Sequence, residues 1–155
     1  MRKCEGTEDM KLHSSLLTID SNIIIAALRT TEPANSKCTE ILANATERFM
    51  LIEPSIIYQE VCGTLARKID LETANTAKEQ LDLLIEQKRL INCDKKTCIS
   101  AFRLCAEYKI YAIDALYLHV ALSNNAILVS LDKEFIEKLN GKLPIETYTV
   151  DNYPY

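Results

Sequence analysis

Four acidic residues, Asp20, Glu60, Asp114 and Asp132, occupy settings where a carboxylate calls for a compensating partner. Asp20 directly follows the apolar run Leu16-Leu17-Thr18-Ile19, and Asp132 follows Ile127-Leu128-Val129-Ser130-Leu131, so each closes a strand-like segment. Glu60 has Ile57 and Ile56 three and four positions before it, and Asp114 has Tyr117 and Leu118 three and four positions after it. On a helix those spacings share one face, here a largely apolar one. An ionised carboxylate there is costly unless something pairs with it. No lysine or arginine occupies a neighbouring turn position on the Asp114 stripe, which makes a bound cation the compensating charge. Ligation by carboxylate oxygens selects a hard ion, Mg²⁺ or Mn²⁺, over zinc. The chemistry such an ion serves is phosphoryl chemistry: it neutralises phosphate oxygens and acidifies a water for attack.

Short strands and helices must bring these acids together. Strands are expected at 16–19, 50–52, 89–93, 126–131 and 143–150. Helices are expected at 21–28, 36–49, from Pro54-Ser55 to about Lys68, 71–87, 96–109, 111–123 and 135–140, the last closed by Gly141. Strands separated by helices need crossover connections, so the fold class is α/β, with a mainly parallel sheet covered by helices on both faces. Ligands of such sheets bind beyond the carboxyl ends of the strands, where Asp20 and Asp132 fall. The plainer role for either aspartate alone is to cap the helix that follows it. Glu40, Glu47, Glu79, Glu86 and Glu137 sit among polar neighbours and read as solvated, and Tyr108, Tyr111 and Tyr117 read as core and rim packing.

Composition narrows the function classes. A chain of 155 residues has the size of one domain, expected at 16–155 behind a polar tail at 1–15. No apolar run approaches the ~20 residues of a membrane span, and the tail lacks the apolar core of a secretory signal, which implies a cytoplasmic home and no membrane partner. Six cysteines scattered through apolar segments imply reduced, mostly buried thiols, and two histidines without any C-x-x-C pair argue against structural zinc. His13 and His119 read as surface or edge residues, and Cys62 beside Gly63 reads as helix packing. A net charge of −4 argues against a broad basic surface for nucleic acid. A limited phosphate track could still come from Arg67, Lys68, Lys88, Arg89, Lys95, Lys96 and Lys133, most of which read as ordinary solvated charges. The three glycines form no dinucleotide fingerprint. Asn22 stands where a haloacid-dehalogenase-type phosphatase wants its second aspartate, and a phosphoacceptor receiver domain would need an early acid pair that this chain lacks.

Leu17-Thr18-Ile19-Asp20-Ser21-Asn22, Pro54 to Val61, Tyr111 to Leu116 and Leu128 to Phe135 together resemble the PIN domain, especially the toxin ribonucleases of toxin–antitoxin pairs. The likeness spans about Leu16 to Val150, and four short motifs in the family's order are more specific than any one of them. It implies a three-layer α/β/α sandwich and a Mg²⁺ or Mn²⁺ site where Asp20, Glu60, Asp114 and Asp132 ligate the ion directly or through water. Ser130 matches the family's hydroxyl position beside the last aspartate, and Ser21 or Asn22 would orient Asp20, supporting roles around the ligands. The implied reaction is water attack on an RNA phosphodiester, leaving a 5′-phosphate and a 3′-hydroxyl. An antitoxin partner and a homodimer are implied with it. The alternative is a PIN-like module that binds RNA or protein without cutting.

Overall fold

Residues 15–155 are described by a computed structural model, and the expected tail lies, apart from Ser15, outside the described residues. The first strand, β1 (Leu16–Ile19), has Leu17, Thr18 and Ile19 wholly buried and leads through Asp20 into α1 (Ser21–Leu28). Next come α2 (Asn35–Arg48), β2 (Met50–Leu51), β3 (Glu53–Pro54), α3 (Ile56–Lys68) and α4 (Leu71–Leu84). The remainder is β4 (Leu90–Ile91), α5 (Lys95–Tyr108), α6 (Ala112–Ser123), β5 (Ile127–Ser130), α7 (Lys133–Leu139) and β6 (Thr147–Thr149).

The main sheet has the order β2-β1-β5-β6 with every pairing parallel. Leu17, Thr18 and Ile19 of β1 stand opposite Ile127, Leu128 and Val129 of β5, so these two central strands end level with each other. All four β5 residues are buried, as a parallel strand covered on both faces must be. The apolar face of α6 supplies Ala115, Leu118 and Val120 to the core, and the helix lies against β1, β3 and β5. With seven helices flanking a parallel sheet the fold is a three-layer α/β/α sandwich, as expected. No helix among the described residues is long and apolar enough to cross a membrane.

Several boundaries differ from the sequence expectation. The strand expected at 50–52 stops at Leu51, because the chain turns away at Ile52 and resumes as β3, which pairs with β4 in a separate two-stranded parallel sheet. Pro54 is part of β3, and its helix starts only at Ile56. α4 stops at Leu84, with a single 3-10 turn, Gln87–Arg89, before β4. Expected strand 143–150 shrinks to Thr147–Thr149, since the chain first completes a turn around Gly141, whose φ of +70° suits glycine. Among the described cysteines only Cys38 is buried and Cys98 is exposed, so the expectation of mostly buried thiols is corrected; all five are free.

Candidate functional site

The level ends of β1 and β5 place Asp20 and Ser130 side by side. The backbone N–H of Asp20 donates to the Val129 carbonyl at 3.0 Å, continuing the ladder one residue past the strand. Ser130 Oγ donates to Asp20 Oδ2 at 2.6 Å and accepts from the Asp132 backbone N–H at 3.0 Å, so one hydroxyl ties both rim aspartates together. The other Asp20 oxygen accepts from Ser21 Oγ at 3.3 Å and from the Asn22 backbone N–H at 3.5 Å. Asn22 therefore reaches Asp20 through its main chain. Asp132 Oδ1 accepts from the Phe135 N–H at 3.0 Å, capping α7. Capping and site placement thus coexist in both aspartates.

Glu60 and Asp114 reach the same rim from helices. Glu60 Oε2 accepts from the Tyr117 hydroxyl at 2.6 Å, linking α3 to α6. Tyr117 is wholly buried, so packing fixes its ring and the ring in turn fixes the carboxylate. Its hydroxyl role was not legible in a helical stripe that reads as core. We expect Tyr117→Phe to destabilise the protein by about 1 kcal/mol in denaturant melts, the ordinary worth of one such hydrogen bond. The same variant should raise the Glu60 pKa further in an NMR titration, because the lost bond holds it down.

Burial and, after it, charge repulsion mark the cluster electrostatically. Burial pushes the Asp20 carboxyl up, against hydrogen bonds from Ser130, Asn22 and Ser21, and the Asp132 charge adds to the rise. Burial also raises Glu60, with the Asp20 charge contributing. Asp114 is pushed up to about 7 by burial first, then by the charges of Asp20, Asp132 and Glu60. Lys138, on α7, opposes this rise. The Asp114 stripe indeed offers no cation of its own, but a neighbouring helix supplies one.

Glu53 was not anticipated at all. It is completely buried, and its Oε1 accepts the Ile19 N–H at 2.7 Å. That N–H would otherwise pair with the next residue of β2, but the chain has already turned away at Ile52, whose own N–H still donates to Leu17. A side chain thus continues the ladder up to the residue before Asp20. Burial holds the Glu53 carboxyl well above its ordinary range, opposed by the Ile19 N–H and reinforced by the Asp20 charge.

A cleft of about 610 Å³ opens beside the rim, lined by Asn22, Glu60, Arg67, Lys68 and Asp132 among others. Of the expected phosphate track only Arg67 and Lys68 face it. Lys88 and Arg89 pair with Glu86, and Lys133 pairs with Asp151. Lys95 and Lys96 line a separate hollow at the start of α5. Among the described residues no three histidine, cysteine, aspartate or glutamate side chains converge tightly enough to hold an ion unaided. The oxygen donor set nevertheless suits Mg²⁺, which keeps several waters and takes only one or two protein carboxylates directly.

A parallel α/β sandwich of this kind is an architecture shared with known proteins. A family model described as the PIN domain matches residues 17–139, and the chain belongs to that family. Among solved structures, VapBC2 from Rickettsia felis, bound to a promoter DNA fragment, aligns with a TM-score of 0.63 and 18% identity, covering 86% of this chain and 98% of that one. FitAcB from Neisseria gonorrhoeae aligns with a TM-score of 0.66 and 16% identity, covering 89% and 99%. Mycobacterium tuberculosis VapC20, a sarcin-ricin loop cleaving toxin, aligns with a TM-score of 0.65 and 14% identity, covering 78% and 92%. At these identities the likeness is one of fold. No curated protein matches the chain significantly.

Proposed function

We propose that the chain is a cytoplasmic, metal-dependent endoribonuclease that hydrolyses RNA phosphodiester bonds, and that it is the toxin of a toxin–antitoxin pair. The observation that carries this reading is the gathering of four acids from separate elements at one rim, where burial first and then the charges of its neighbours lift Asp114 to about 7 and a single lysine opposes the rise. Membership of the PIN family supports a nuclease, and the structural likeness to a loop-cleaving toxin supports RNA as its substrate.

Asp20, Glu60, Asp114 and Asp132 would hold Mg²⁺ or Mn²⁺, one or two of them directly and the others through water. When bound, the ion supplies positive charge for the phosphate oxygens and acidifies the attacking water. The chain's own groups prepare this arrangement. Ser130 and Ser21 orient Asp20, Ser130 also fixes the turn carrying Asp132, and Tyr117 orients Glu60. Arg67 and Lys68, lining the cleft beside Glu60, would bind phosphates of the substrate strand. The products would carry a 5′-phosphate and a 3′-hydroxyl.

The test is cleavage of a mixed RNA pool by the purified chain with Mg²⁺, Mn²⁺ or EDTA, followed by mapping of the product ends. Cutting in either metal and none in EDTA is expected; intact RNA throughout would favour a binding module instead. Homodimerisation and inhibition by an antitoxin belong to the same proposal. Light scattering at micromolar concentration should give twice the chain mass, and co-expression with a neighbouring small gene product should suppress cleavage. A monomer with no inhibitory neighbour would remove the toxin–antitoxin part while leaving the nuclease standing.

A further inference from the structure

The helix that carries Asp114 begins with an aromatic side chain that the proposed reaction leaves unused. Tyr111 stands at the N-cap of α6, three residues before Asp114, and is 73% exposed. Lys138 of α7 holds its Nζ 5.8 Å from the centre of the Tyr111 ring. The same ammonium pairs with Glu134 at 2.7 Å, one turn earlier on α7. With Glu134 largely exposed, that pair is a weak surface contact and leaves the lysine available to a stronger anion. Tyr111, Lys138, Asp114 and Asp132 line one small hollow. Asp132 also lines the larger cleft with Arg67 and Lys68, so the acid rim lies between two cationic flanks, only one of which carries an exposed ring.

An exposed ring beside a cation is the pairing by which proteins hold single-stranded nucleic acid: the base stacks on the ring and the cation takes the backbone. RNA presents unstacked bases for this in its loops and single-stranded segments. We propose that Tyr111 and Lys138 form a nucleobase subsite of the substrate strand, in which one base stacks on the Tyr111 ring and Lys138 binds the phosphate beside it. A strand entering past Arg67 and Lys68 would then cross the acids and be held on their far side by this pair. The proposal rests on the ribonuclease reading and adds to it a fixed position, next to the cut, for one splayed-out base.

The probe is a short single-stranded RNA spanning the cleavage site mapped in the pool assay, with 2-aminopurine placed at each flanking position in turn. Tyr111→Ala should lower kcat/KM about tenfold, chiefly through KM, as loss of one stacked base requires. One 2-aminopurine position should be quenched on mixing with the native chain and with Tyr111→Phe, and stay bright with Tyr111→Ala. Melting curves of each variant establish that the fold is retained. Native KM and native quenching in Tyr111→Ala would overturn the subsite while leaving RNA cleavage intact. A native chain that cuts no RNA would overturn the ribonuclease reading, and this subsite with it.

Discussion

Asp114→Asn is expected to lower RNA cleavage at least a hundredfold and, in the absence of metal, to raise the melting temperature. A hundredfold corresponds to about 2.7 kcal/mol of transition-state stabilisation, a modest demand on a carboxylate meant to help hold the ion. The stability gain follows from linkage. The folded Asp114 has a pKa of about 7 against an ordinary value of 3.8, so the folded state holds this proton more tightly. Its favourable contribution is fully present below pH 4 and is lost as pH rises to about 7. Asparagine carries no such charge. The variant should therefore gain on the native chain between pH 4 and pH 7, and the difference should level off above that. Allowing for solvent screening of a half-buried group, the plateau should be about 1–2 kcal/mol. Thermal melts in EDTA across that range check it. A difference independent of pH would mean that burial and the neighbouring acids do not raise the Asp114 pKa.

Glu53→Ala should be the most destabilising single change at the base of the site, by about 3 kcal/mol or more. It strands the buried Ile19 N–H and opens a cavity beneath Asp20. Cleavage should fall with it, because Asp20 follows directly on the residue that Glu53 anchors. Glu53→Gln separates hydrogen bonding from charge. Burial holds the Glu53 carboxyl well above its ordinary range, which favours its uncharged form, and glutamine offers the same shape and the same acceptor. Denaturant melts at pH 7 should find Glu53→Gln close to native stability or above it. If Glu53→Gln instead matches Glu53→Ala, accepting the Ile19 N–H is not what Glu53 contributes, and its proposed role is wrong.

The strand-ending aspartates were legible because the hydrophobic pattern stops abruptly at Asp20 and Asp132, and the helical acids because apolar neighbours three and four residues away betrayed their faces. What escaped depends on contacts between distant segments. Glu53 precedes a proline in Leu-Ile-Glu-Pro and looks like a turn acid; only the departure of the chain at Ile52 gives its side chain a buried N–H to accept. Lys138 is unremarkable within α7, and its charge reaches Asp114 only because α7 packs beside the start of α6. Most of the basic residues read as ordinary charges, and which of them pair elsewhere depends on structure: the partners of Lys88, Arg89 and Lys133 are set partly by local turns and partly by Asp151. β3 escaped because a two-residue strand has no periodicity to read, and Pro54 reads instead as the start of the following helix.

Ion binding at the acid rim is tested directly by a melting experiment at pH 7.5. Magnesium that binds only the folded site should, at ten times its dissociation constant, add about 1.4 kcal/mol, a rise of roughly 3 to 6 °C in a domain of this size. The native chain should show that rise, and Asp114→Asn should show much less of it from a higher metal-free starting point. An equal magnesium shift in both proteins would place the ion elsewhere and contradict the account.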